Sequence, residues 1–264
     1  MTRFRTVEVS DPRFEHEGLR WLTVRGRGLA GRGDITVHVP PEVEGRHGVP
    51  LVVLMHGVYG SHWGWAFKGG AHRIAAAMIR SGEIPPMVLA MPSDGLPGDG
   101  SGYVRQSRAD YEEWIVGDVP AAVRHATAAV GDGSAVFLAG LSMGGFGALR
   151  LGARHPDRFR AVSGLSSATH LDQLRGFMAE EPGWEGAGVE DPGVLEAMLR
   201  AKRLPGIRFD CGMEDPLLEG NRALHRGLEA AGIGHEYVEH PGGHTWEYWE
   251  RHLPETLRFF AARS

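Results

Sequence analysis

The chain has 264 residues, 42% of them hydrophobic and 23% charged, with a formal net charge of -5. These are the proportions of a globular chain with a sizeable core, and they exclude a disordered one. No basic stretch is long enough to follow a phosphate backbone, which argues against nucleic acid as a partner, and no run approaches the ~18 apolar residues that a membrane span needs. The length suits a single domain over 1–264. Residues 1–8 carry no apolar run after their arginines, so a secretory signal is not expected and the cytoplasm is the expected location. The single cysteine, Cys211, lies in an apolar run and reads as an inert core thiol.

In chain order, 6–9, 21–24 and 35–39 read as short antiparallel strands at one side of a sheet. The runs 51–55, 87–91, 135–139 and 161–165 are continuously apolar, as suits central strands of a parallel sheet buried on both faces. Two more strands are expected at 207–211 and 235–239. Helix-period segments cover about 71–80, 110–128, 143–154, 217–231 and 246–262. This alternation predicts an α/β class, a mostly parallel, doubly wound sheet with antiparallel N-terminal strands. Two irregular insertions, about 92–109 and 166–203, follow strands at the carboxyl edge, where ligands bind in this architecture.

Gly140-Leu141-Ser142-Met143-Gly144 matches G-x-S-x-G directly between a strand and a helix. The turn is tight, so the positions two before and two after the serine must be small. Ser142 is therefore the candidate nucleophile. Ser166 and Ser167 also follow a strand but lead into an irregular stretch, and read as loop residues lining or flanking the site. A serine needs a base within hydrogen-bond reach, and the base an orienting acid. In this architecture the partners follow in the order acid, then histidine, each after a later strand. Asp215 and His244 sit in those places. Glu214 would point away from Asp215's direction, Asp210 lies within its strand, and His240 ends its strand before the Pro-Gly-Gly turn. For the oxyanion, the backbone N–H of Met143 and that of Val58 are the expected donors, with Tyr59 second on the loop. His56 reads as a buttress of that loop.

These residues resemble the esterase D-like branch of α/β-hydrolases, which includes tributyrin-type carboxylesterases, feruloyl and acetylxylan esterases, S-formylglutathione hydrolases and mycolyltransferases. The matching pieces are His56-Gly57 with Gly60, the segment 140–149, Cys211-Gly212 with Asp215, Leu217 and Asn221, and Pro241-Gly242-Gly243-His244 with Trp246. The resemblance implies the α/β-hydrolase fold and assigns triad roles to Ser142, Asp215 and His244. Formylglutathione hydrolases usually carry a different segment at 56–60, and Cys211 does not substitute for it. Asn221, on the apolar stripe of its helix, reads as a satisfied structural group.

The stretch 92–103 offers Asp94 and Asp99 as hard ligands but lacks the acid spacing of a calcium loop, and reads as a flexible site wall. Trp63, Trp65 and Phe67 fit either core or an apolar pocket. Tyr59, Trp63, Trp65, Tyr103 and Trp246 are the candidate pocket residues. The expectation is a serine carboxylesterase acting on short-chain or small acyl esters, without metal or cofactor. An acyltransferase with the same triad and an S-formylglutathione hydrolase-like thioesterase are the alternatives. The intact Ser142, Asp215 and His244 argue against a non-catalytic binding module.

Overall fold

The computed structural model describes residues 3–184 and 189–264, so that 185–188, within the second expected insertion, lie outside the described residues. Strands β1 (Thr6–Val9), β2 (Leu19–Arg25) and β3 (Gly33–His38) are followed by β4 (Leu51–Met55), β5 (Val88–Pro92), β6 (Val136–Leu141), β7 (Ala161–Leu165), β8 (Gly206–Gly212) and β9 (Glu236–His240). They form one sheet in the order β1-β2-β3-β5-β4-β6-β7-β8-β9. β1, β2, β3 and β5 pair antiparallel, and every pair from β5-β4 through β8-β9 is parallel. β4, β5 and β7 are buried at every position, which is why they read as unbroken apolar runs, while edge strands β1 and β9 alternate with exposed positions.

Helices α1 (Gly64–Phe67), α2 (Ala71–Arg80) and α9 (Trp246–Ala261) cover one face. The other is covered by α3 (Tyr111–Glu113), α4 (Val119–Ala126), α5 (Met143–Arg154), α7 (Val194–Arg200) and α8 (Leu218–Ala230). A further short helix, α6 (Leu171–Arg175), lies between β7 and α7. The five helix-period segments all form. The one expected over 110–128 is interrupted by a π-helical turn, Trp114–Asp118. That wider turn carries the buried Asp118, whose carboxylate accepts the N–H groups of Arg27 and Gly28 at 2.8 Å each. The helices α1, α6 and α7 were not signalled by periodicity, since each is too short to repeat its apolar face.

Cys211 is buried, and burial pushes its thiol well above the usual range, with the Asp215 and Asp210 charges adding to the effect. His38 carries an acid-sensitive contribution to stability. Burial, with the neighbouring His72 charge, lowers its pKa to about 4, against the opposing pull of Glu17. Between pH 6.5 and 4 the unfolded chain then binds the proton that the folded chain refuses. Stability from this group is complete above pH 6.5 and falls as pH drops to 4, by up to about 3 kcal/mol. Urea denaturation across that window should show a shallower pH slope for His38→Gln than for wild type. An identical slope would remove His38 from the acid response.

Candidate active site

The nucleophile candidate sits where β6 turns into α5. Ser142 has φ +54 and ψ -117, a conformation that a non-glycine residue adopts only when its surroundings enforce it. The enforcement is visible in the flanking glycines. A Cβ on Gly140 would strike the Gly144 backbone, and one on Gly144 would strike the Met55 and His56 carbonyl groups. Ser142 N–H donates to Leu165 O at 3.0 Å, fixing the turn to β7.

His244 and Asp215 arrive from the neighbouring edge. His244 Nε2 is 3.0 Å from Ser142 Oγ, and His244 Nδ1 is 2.8 Å from Asp215 Oδ2. The other Asp215 oxygen accepts Leu217 N–H at 2.8 Å, and the carboxylate is wholly removed from solvent. Glu214 faces the other way, its carboxylate accepting Gly242 N–H and so holding the turn before His244. The neighbouring acid Asp210 is sequestered below, between Arg208 and the Tyr248 hydroxyl. Ser166 is buried with φ +47, and its hydroxyl has no hydrogen-bond partner among the described residues. Sequence order thus brings together Ser142, His244 and Asp215 and leaves Ser166, Glu214 and Asp210 outside the contact.

Residues 56–60 close over the serine from the end of β4. A Cβ on Gly57 would lie 2.9 Å from the Leu141 side chain and 3.1 Å from Ser142 Cβ, so only glycine lets the loop come this near. Tyr59 N–H is already donated to Asp99 O at 2.9 Å. Among the described residues, the N–H groups of Val58 and Met143 donate to no acceptor. His56 is buried and bonded at both nitrogens, 2.7 Å from Gly57 O through Nδ1 and accepting Asp94 N–H through Nε2 at 3.0 Å. Because the Asp94 amide can only donate, the proton belongs on Nδ1, and the ring braces the loop rather than facing Ser142.

The stretch 92–109 is knitted rather than loose. Asp94 accepts the N–H groups of Leu96 (3.0 Å) and Ser101 (2.8 Å). Asp99 Oδ2 accepts those of Ala179 (2.7 Å) and Glu180 (2.9 Å) and the Tyr59 hydroxyl (3.3 Å). The Glu180 and Ala179 donors hold the Asp99 carboxyl below its ordinary range. Among the described residues, His240, His252 and Glu255 form one cluster with metal-ligand atoms. Its imidazoles stack 4.0 Å apart at 14°, and each already has a ring nitrogen about 3 Å from a Glu255 oxygen, His240 Nε2 at 3.1 Å and His252 Nδ1 at 3.0 Å. Glu255 is also paired with Arg208 at 2.6 Å. That is ion-pair geometry.

A model of the Esterase family matches residues 28–260. The chain belongs to that family. An acetyl esterase of Caldicellulosiruptor saccharolyticus is 24% identical to it over 228 residues, which are 79% of this chain and 82% of that protein. Solved structures share its fold, among them the following two. A ferulic acid esterase superposes with a TM-score of 0.79 at 24% identity, covering 98% of this chain and 99% of the other. An S-formylglutathione hydrolase from Staphylococcus aureus does so with a TM-score of 0.76 at 16% identity, covering 96% and 99%. The esterase is therefore an α/β-hydrolase and a carboxylic ester hydrolase, in the branch that its motifs resemble. No helix among its described residues is long and apolar enough to cross a membrane.

In the esterase a cavity of about 290 Å³ opens beside Ser142, walled by Tyr59, Trp63, Phe177, Trp246 and Trp249 with Lys68. Two of the candidate pocket residues are not part of it. Trp65 is buried, donates its indole N–H to Met55 O at 2.9 Å, and meets Trp246 edge-on from behind. Tyr103 is fully buried beneath the loop, its hydroxyl on His56 O at 3.1 Å and its ring in the space that the absent Gly147 side chain leaves. Both are core because their polar atoms are consumed by backbone carbonyls under the site. Phe67 stacks outside on Trp21. Asn221 satisfies only half of its amide. Its Nδ2 bridges Ser167 O (2.8 Å) and Leu217 O (2.9 Å), while Oδ1 has no partner among the described residues. Phe177, Trp249 and Lys68 escaped the sequence reading. Trp249 could have been found one helical turn after Trp246. Phe177, which stacks on the His244 ring at 5.2 Å, has no local signal at all.

Proposed function

We propose that Ser142, His244 and Asp215 are the catalytic triad of this esterase, acting on short or small acyl esters within one domain. The reading is carried by the continuous hydrogen-bonded line from Ser142 Oγ through both His244 nitrogens to a buried carboxylate. Ser142 Oγ attacks the acyl carbonyl while His244 Nε2 takes its proton, and Asp215 holds the imidazole in the tautomer that leaves Nε2 free to accept. The tetrahedral oxyanion falls to the two uncommitted N–H groups, Met143 and Val58, each worth roughly 3–4 kcal/mol to the transition state. His244 returns the proton to the departing alkoxide. Water then repeats the attack on the acyl-enzyme, releasing the carboxylic acid and restoring Ser142.

Phe177 and Trp249 clamp the imidazole, one face-on and one edge-on at 5.0 Å, which limits its rotation between the two proton transfers. The bounded aromatic cavity supports small acyl groups. A p-nitrophenyl ester series should give its highest kcat/KM between acetyl and butyryl and fall by octanoyl, with a fluorophosphonate probe recovered on the peptide containing Ser142. Values rising through decanoyl would replace the bounded pocket with an open groove, and label on any other serine would displace the triad.

A further inference from the structure

The mechanism above assigns no role to a lysine or arginine, yet the cavity beside Ser142 carries one. Lys68 lies on its wall with Nζ 5.4 Å from the centroid of Trp246. The arrangement is set by the chain around it. A Cβ on Gly69 would come within 3.1 Å of the Trp246 ring and one on Gly64 within 3.4 Å, so these glycines let the indole lie against the turn that bears Lys68. Trp65 backs the same indole. The cavity lining contains no aspartate or glutamate, and Lys68 forms no ion pair with any carboxylate among the described residues. Lys68 is exposed at the cavity mouth, so its ammonium is open to a ligand from solvent.

Composition sharpens the point. Of the 28 lysines and arginines only Lys68 and Lys202 are lysine. An arginine over Trp246 would be held flat by stacking, whereas lysine is a compact point charge with three rotatable donors on a flexible stem. It can leave the ring for a ligand. The aromatic lining offers Lys68 no competing carboxylate, while the net charge of -5 gives an anion no general attraction to the rest of the molecule.

Building on the esterase reading, we infer that Lys68 selects ester substrates bearing an anionic group, a carboxylate, phosphate or sulfate, close to the scissile bond. The group displaces the cation–π contact and pairs with the ammonium while the acyl carbonyl rests at Ser142. Since the contact is formed on binding, it acts on KM more than on kcat.

Two matched pairs test this: monoethyl succinate against ethyl butyrate, which places the charge on the acyl side, and 4-acetoxybenzoate against its methyl ester, which places it on the alcohol side. Each is measured with wild type, Lys68→Met, Lys68→Arg and Lys68→Glu. In at least one pair the anionic-to-neutral ratio of kcat/KM should fall about five- to tenfold in Lys68→Met, mainly through KM, and further in Lys68→Glu. Lys68→Arg should keep only part of the ratio, because the guanidinium stays stacked on Trp246, and about 0.5 M NaCl should erase the wild-type preference. Comparing ratios across variants cancels leaving-group differences. A ratio equal in wild type and Lys68→Met for both pairs, with the neutral esters still turned over through Ser142, overturns this inference alone. Neutral esters turned over equally by Ser142→Ala would overturn the triad reading, and this inference with it.

Discussion

Ser142→Ala is expected to lower kcat/KM on a short acyl ester by about four to six orders of magnitude while leaving the circular dichroism spectrum and Tm close to wild type. Alanine keeps the Cβ, so the strained φ of +54 is neither relieved nor worsened, and the N–H to Leu165 O is untouched. Only the hydroxyl and its contact with His244 Nε2 are lost. What survives is the background that substrate binding and the oxyanion donors supply. Ser166→Ala is the paired control, because the Ser166 hydroxyl is buried without a base. Retention of even a tenth of wild-type kcat by Ser142→Ala, with Ser166→Ala inactive, would move the nucleophile to the second strand end.

The next largest loss should come from Asp215→Asn, about 10⁴-fold in kcat. The direction follows from the second oxygen. Leu217 N–H points at Oδ1 and can only donate, so an asparagine places its carbonyl oxygen there and turns its NH₂ toward His244 Nδ1. That nitrogen must then accept, the proton moves to Nε2, and the imidazole presents a donor to Ser142 where an acceptor is required. Glu214→Gln keeps an oxygen for Gly242 N–H and should change kcat no more than a few-fold. A crippled Glu214→Gln beside a mild Asp215→Asn would transfer the acid role.

The sequence was most legible where local chemistry and long-range geometry impose the same residue. The glycines at 140 and 144 are written by a turn of five residues, and the central strands by unbroken burial, so both could be read without the partner elements. The pocket wall obeys no such local rule. Trp63 and Trp65 are two residues apart and chemically identical. One faces the cavity and the other the core only because a four-residue helix, too short for a period, begins between them. Phe177 reaches His244 through the hydrogen bonds that the neighbouring Ala179 and Glu180 make to Asp99, some 80 residues away. Tyr103 is withheld from the site by the missing side chain of Gly147, a vacancy on a different element. None of these pairings leaves a trace in a window of sequence.

The two halves of the proposed proton-transfer pair are rooted in unlike parts of the sheet. Ser142 directly follows β6, an interior strand flanked by β4 and β7, whereas His244 hangs beyond β9, the outermost strand, none of whose side chains is fully buried. Opening free energies in a folded protein are lowest at such margins and highest at the centre. With the proposed triad, catalytic competence measures the integrity of the margin rather than of the whole. On warming, turnover should decline as the β9 turn loosens, ahead of the collapse of the central strands, and return on cooling for as long as those strands hold the serine in place.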